Sequence, residues 1–186
     1  VTVHLIHGIH TAGPSTLTGF IPLLRDSRYP DYGYIYGVET RLMNPVIVGT
    51  MAPYVAPDDI LICHSNGCAI AYDLMNRGVA VAGAIFINAA LERNIALPAK
   101  CPWIDVYFNA GDQITEAAEI AEKLGFVDPV WGEMGHAGYN GLNPDITNID
   151  CGHTADMPPL SGHSDFGTPF KFAKWGPFAL KRRKIT

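Results

Sequence analysis

Ser65 lies in the run Cys63-His64-Ser65-Asn66-Gly67, between the apolar segment Ile60 to Cys63 and a helix-like stretch that begins at Cys68. A serine on a strand-to-helix turn, with small residues two positions to either side, fits a nucleophile elbow. There a strained backbone brings strand and helix too close for larger side chains. Gly67 meets that demand fully; Cys63 stands where glycine is usual and meets it in part. The chemistry open to such a serine is attack on an acyl carbon. Its hydroxyl needs a base within hydrogen-bond reach to do so.

The chain has seven histidines, and several are candidates for that base. His163, in Gly162-His163-Ser164-Asp165-Phe166, follows the last strand-like segment in a polar loop and is the favoured base. His136 and His153 occupy the same stretch of chain order and stand as alternative bases. His64 adjoins the serine, but consecutive side chains point apart, so a filler or pocket-wall role is expected. Asp112 follows the strand-like run Val106 to Asn109 and Gly111, and is the candidate acid that would hold the base in the correct tautomer. An aspartate at that place is also an ordinary helix N-cap. Asp165 is only two residues from His163, and Asp105 falls inside a strand; neither is favoured. At the other end of the chain, the apolar run Val3 to Ile6 leads directly into His7, Gly8 and Ile9. The backbone N–H groups of Ile9 and Asn66 are the expected donors to an oxyanion. Gly8 would leave room for the scissile carbonyl, and His7 would tie the loop down through a ring hydrogen bond.

The chain order Ser65, Asp112, His163, with the His7-Gly8-Ile9 loop upstream, resembles the α/β-hydrolase superfamily from Val3 to about Leu180. The resemblance implies a three-layer α/β/α fold around a mostly parallel sheet of about six strands, fewer than a full hydrolase sheet, with no separate lid domain. It also implies a Ser65-Asp112-His163 triad and acyl-transfer chemistry on a small-molecule acyl substrate. The expected function is a serine hydrolase that cleaves a carboxylic ester through an acyl-enzyme. A thioesterase or amidase using the same triad, and a non-catalytic binding module on the same fold, remain alternatives.

These residues need elements to position them. Strand-like runs fall at Val3 to Ile6, Tyr34 to Val38, Ile60 to Cys63, Val81 to Ile87, Ile104 to Phe108 and Ile146 to Ile149. Between most of them lie candidate helices. Leu17, Phe20, Ile21 and Leu24 share one helix face, a stretch from Ala69 continues the elbow helix to Arg77, Ile114 to Leu124 is in helical phase, and a final helix is expected over about Pro169 to Lys181. Strands alternating with helices argue a parallel sheet covered on both faces. Val127 to Pro159, rich in Gly, Asn, Asp and Pro, reads mostly as loop: an active-site lid, or strand and turn not resolved by pattern. Tyr29, Tyr32, Tyr34 and Tyr36 either pack in the core as strand residues or line an acyl pocket, the core being the preferred reading.

Composition narrows the classes. With 186 residues, 48% of them hydrophobic, the chain can bury one substantial core and is read as one domain, residues 1–186. The formal charge is −5, and four basic residues crowd Lys181 to Lys184; without them nine basic residues face eighteen acidic ones, a poor surface for nucleic acid. That basic cluster is expected to be a solvated end complementing a helix dipole. The longest apolar stretch, Val79 to Leu91, is interrupted by Gly83 and Asn88 and too short to cross a bilayer, so no integral membrane association is expected. Four cysteines without CxxC spacing read as reduced thiols, and the protein as cytoplasmic. His136, Cys151, His153 and His163 match no zinc pattern, and no phosphate-binding glycine loop is present, so no metal and no cofactor are expected.

Overall fold

A computed structural model describes residues 1–11, 13–96, 101–125 and 127–185. The strands are β1 (Val3–Ile6), β2 (Ser27–Arg28), β3 (Ile60–His64), β4 (Gly83–Ile87), β5 (Ile104–Phe108) and β6 (Ile146–Asp150). They form one sheet in the order β2-β1-β3-β4-β5-β6, every neighbouring pair parallel. The helices are α1 (Thr40–Met51), α2 (Asn66–Asn76), α3 (Gln113–Lys123), α4 (Met134–Ala137) and α5 (Pro169–Arg182).

Side chains alternate across a strand, so a sheet covered on both faces needs apolar residues at odd and even positions alike. Here Leu61, Cys63, Ala84, Phe86 and Val106 join one buried cluster with Ile47, Val48 and Ile70 from α1 and α2. Ile60, Ile62, Ile85, Ile87 and Tyr107 join another with Phe20, Phe166 and Trp175. Two cores on opposite faces of one parallel sheet make the three-layer α/β/α arrangement. All six strands run the same way, which gathers their C-terminal ends, and the loops that follow them, along one edge.

Three elements differ from the pattern read in the sequence. Tyr34 to Val38 is not a strand: the sheet's edge is the two-residue β2, and Gly37–Glu39 form a 3-10 turn. Only Ile35 of that stretch is buried, while Tyr29, Tyr34 and Tyr36 are about half exposed, so the tyrosines do not enter the core as a group. Helix α1 was not anticipated, although Asn44, Ile47, Val48 and Met51 are buried at helical spacing along it. The 3-10 segment Ser15–Leu23 takes the place of the first expected helix; it contains Pro22, which has no N–H to donate. The stretch from Val127 to Pro159 holds α4, β6 and connecting turns.

The basic C-terminus is also not merely solvated. Asp105, fully buried in β5, accepts from Arg182 Nε at 3.2 Å and Arg183 Nε at 2.9 Å, and the Arg183 guanidinium lies 4.5 Å from the centre of the Trp103 ring. A carboxylate inside a sheet is tolerable only when its charge is met, so the last turn of α5 is pinned to the sheet. Removing both guanidinium groups (Arg182→Ala with Arg183→Ala) is expected to lower unfolding free energy by about 3 kcal/mol or more in urea titrations. Adding Asp105→Leu should recover a large part of that loss; an unrecovered loss would mean that the arginines act through some other contact.

Candidate active site

Ser65 connects β3 to α2 with φ 56° and ψ −125°, a backbone region that non-glycine residues rarely occupy and that costs roughly 1–3 kcal/mol. The strain is held by packing. A β-carbon on Gly67 would stand 2.1 Å from the Ile6 carbonyl oxygen and 2.7 Å from that of His7, so only glycine lets the first turn of α2 press against the end of β1. At the same junction a β-carbon on Gly8 would sit 2.9 Å from Ser65 Cβ and 3.3 Å from its Oγ. The His7-Gly8-Ile9 loop therefore abuts the serine, and any side chain at position 8 would collide with it.

No described hydrogen bond uses the Ile9 backbone N–H, and the N–H of Asn66, in the first turn of α2, has no acceptor within its helix. Asn66 follows Ser65 in the chain, and Ile9 follows Gly8, whose α-carbon abuts the serine. His7 is buried, its Nδ1–H donating to the Gly8 carbonyl at 2.7 Å, and burial lowers its pKa from the usual 6.5. Tyr32 stacks on that ring, centroids 4.0 Å apart, and its hydroxyl donates to the His7 carbonyl. The side chain of Asn66 is locked as well. It exchanges two amide hydrogen bonds with Asn44 of α1, both 2.9 Å, and its Oδ1 also accepts Trp131 Nε1–H at 2.9 Å.

Asp112 and His163 come together across 51 residues of chain. His163 Nδ1 lies 2.9 Å from each carboxylate oxygen of Asp112, which is fully buried. The same carboxylate accepts the Thr115 backbone N–H at 3.1 Å, so Asp112 caps α3 and meets His163 at the same time. An Nδ1–H given to a carboxylate leaves Nε2 as the free basic nitrogen. Among the described contacts no hydrogen bond joins the Ser65 hydroxyl to that ring. Such bonds are commonly long or misaligned before substrate binds.

The loop that carries His163 is fixed from behind by residues the sequence did not single out for this task. The His163 carbonyl accepts His64 Nε2–H at 2.9 Å and Asn88 Nδ2–H at 2.6 Å, and Asn88 also reaches the Gly162 carbonyl at 3.2 Å. Asn109 donates to Asn88 Oδ1 at 3.3 Å, and its own carbonyl accepts the Asp112 backbone N–H at 3.0 Å. Asp112, His163 and the Ser65 turn are thus tied through two buried asparagines and one buried histidine. His64 does more than fill a wall: its ring lies 4.8 Å from that of His163, and burial drives its pKa down to about 3. The only signal for Asn88 and Asn109 was a polar residue directly after an apolar strand.

The alternative bases are placed differently. His153 is exposed and pairs with Asp150 at 2.9 Å. His136 is half-buried on α4 with Nδ1 unpartnered, and no described contact links either ring to Ser65 or Asp112. Asp165 takes Ser161 and Lys171 as its partners. Among the described residues no group of three or more His, Cys, Asp or Glu is arranged to hold a metal ion, the four cysteines are free and buried, and no helix is long and apolar enough to cross a membrane. A cavity of about 500 Å³ lies elsewhere, between α1 and the segment Arg28 to Tyr32; it is lined in part by Tyr32, which stacks on His7, and is not lined by Ser65 or His163.

No protein-family model and no curated protein matches this sequence. Solved structures do. A putative hydrolase of the α/β superfamily from Xanthomonas campestris superposes with a TM-score of 0.58 at 15% identity, covering 99% of this chain and 99% of that one. A predicted hydrolase from Thermoplasma acidophilum gives 0.56 at 12%, covering 97% and 86%. A bottromycin epimerase in complex with bottromycin A2 gives 0.50 at 16%, covering 100% and 90%. Likeness at such identities is likeness of fold, and function has to be argued from the site.

His64 makes the pH response of this region predictable. Below pH 6.5 the unfolded chain binds a proton at His64 that the folded chain refuses until about pH 3. The contribution of His64 to stability is therefore fully present above 6.5 and falls by about 1.4 kcal/mol per pH unit below it, with His7 adding in the same direction. In denaturant titrations at pH 7 and pH 5, His64→Gln, whose amide can still donate to the His163 carbonyl, should lose about 2 kcal/mol less than the parent. Equal losses would contradict the assignment.

Proposed function

We propose that this chain, which has the α/β-hydrolase fold, is a serine hydrolase that cleaves a carboxylic ester. The observation that carries the reading is the contact of His163 Nδ1 with buried Asp112, at the strand edge where Ser65 occupies a left-handed, strained turn. In this reading Ser65 Oγ attacks the acyl carbon while its proton passes to His163 Nε2. The carbonyl oxygen becomes an oxyanion and receives the Ile9 and Asn66 N–H groups. Asp112 stabilises the imidazolium and keeps its tautomer.

Collapse of the tetrahedral intermediate breaks the bond to the alcohol, which leaves with the proton returned by His163. Water, deprotonated by the same ring, then attacks the acyl-enzyme, and the bond to Ser65 Oγ breaks as His163 returns that proton to it, which releases the acid and restores the free serine. Nothing in this sequence of steps calls for a cofactor. Thioesters and amides differ in the leaving atom and would use the same residues. The epimerase likeness is a reminder that this fold also serves chemistry other than hydrolysis, which makes turnover the deciding measurement.

With short-chain esters as substrates, Ser65→Ala and His163→Asn should each reduce kcat by roughly 10³-fold or more with little change in KM, and combining them should add little, because the pair acts as a unit. Activity near that of the parent in Ser65→Ala would refute the proposal.

A further inference from the structure

His10, Tyr34 and Tyr36 form an exposed aromatic group directly beside the candidate site. The His10 and Tyr34 rings stack with centroids 5.5 Å apart, His10 and Tyr36 meet edge-on at 5.6 Å, and Tyr34 and Tyr36 edge-on at 5.3 Å. Tyr34 and Tyr36 are 55% and 57% exposed, a large apolar area for water to cover without a compensating role.

The group is built, not incidental. Ile35 is buried between the two tyrosines and anchors the extended segment, so both rings point outward. The Ile35 carbonyl accepts the His10 backbone N–H at 2.9 Å, and the Tyr36 backbone N–H donates to Glu39 Oε2 at 2.9 Å. His10 itself has φ 57°, a conformation a histidine adopts at a cost, held here by that backbone bond. Its position is decisive: His10 follows Ile9, the proposed oxyanion donor, and its Cα can be no more than about 7 Å from that of Gly8, which abuts Ser65. Gly37 also packs toward Ile9, a β-carbon there falling 3.7 Å from Ile9 Cδ1.

We infer that His10, Tyr34 and Tyr36 are a specificity platform that binds an aromatic ring of the substrate, an inference that rests on the hydrolase reading of Ser65. The three rings already touch one another, so no slot is left between them for a compact head group, and an occupant lies on their outer faces. A flat ring matches those faces and gains offset or edge-to-face contact with rings whose ordering is already complete. The platform's place in the chain puts that ring on the oxyanion-loop side of the scissile bond. The platform is therefore a positioning device for esters that carry an aromatic group in either the acyl or the alcohol half.

The test compares the double variant Tyr34→Leu with Tyr36→Leu, which keeps apolar area, against the parent. The substrates are benzyl acetate with hexyl acetate, and ethyl phenylacetate with ethyl hexanoate. Taking the variant-to-parent ratio for each ester removes intrinsic reactivity. The platform predicts a roughly three- to ten-fold loss in kcat/KM for at least one aryl ester and less than two-fold for its alkyl counterpart. Equal losses on the aryl and alkyl members of both pairs, or no loss on either aryl ester, would overturn it while leaving the hydrolase reading intact. A second arm does not depend on turnover. Benzyl alcohol should shift the Tyr34 and Tyr36 ring resonances of the parent at concentrations where hexanol does not, and absence of such selective shifts would overturn the platform even if no ester were cleaved.

Discussion

The close approach of the Ser65 turn to the end of β1 is the constraint from which the candidate site follows. A parallel sheet places the ends of β1 and β3 side by side, but proximity sufficient for chemistry requires the first turn of α2 to lie almost against the carbonyls of Ile6 and His7. Gly67 permits that, and Gly8 permits the return contact from the opposite side. The strained backbone of Ser65 is the local cost of the junction, offset by a core in which every residue of β1 and β3 is buried. Two backbone N–H groups with no described acceptor, those of Ile9 and Asn66, then belong to the two segments that meet at this junction.

The same economy governs the far side of the site. His163 belongs to a loop, and a loop holds a ring in place only when its backbone is fixed. Its carbonyl is bound twice, by His64 and by Asn88, and Asn88 in turn is braced by Asn109 beside Asp112. Charge is kept out of this scaffold. His64 stays neutral over the ordinary pH range, so it can support a neighbouring imidazolium without a like charge pressed against it. Asn66 is clamped by Asn44 and Trp131, which transfers the rigidity of α1 to the residue whose N–H would meet the oxyanion. The buried amides of Asn44, Asn66, Asn88 and Asn109 all have hydrogen-bond partners, which is the condition under which such groups rigidify a fold.

Much of this was legible in the amino-acid sequence for physical reasons. Five of the six strands fall on strand-like runs of the sequence; β3 and β4 carry the near-continuous apolar pattern a doubly covered parallel strand must have, and α2, α3 and α5 declare themselves through spacing and end signals. Helix α1 did not, because Pro45 and Gly49 lie inside it and polar Asn44 sits on its buried face. The tyrosine-rich segment alternates as a strand would, yet it finds no partner in the sheet; its alternation records one anchor, Ile35, between two outward rings. The ion pairs of the C-terminus were hidden for a different reason. Clustered arginines look solvated until the buried partner is known, and the one clue was a carboxylate, Asp105, within an apolar strand. The roles of Asn88 and Asn109 depend on which loops meet in space, and that is a property of topology that no local pattern encodes.

The central claim is that Ser65 is an activated nucleophile served by His163 and Asp112. It is tested most directly by treating the native protein with a fluorophosphonate and locating the adduct by peptide mass spectrometry. A single phosphonylated residue at Ser65, with labelling slowed at least 10²-fold in His163→Asn and abolished by prior unfolding, is the predicted result. An unlabelled protein, or an adduct formed equally well without the imidazole, would contradict the account.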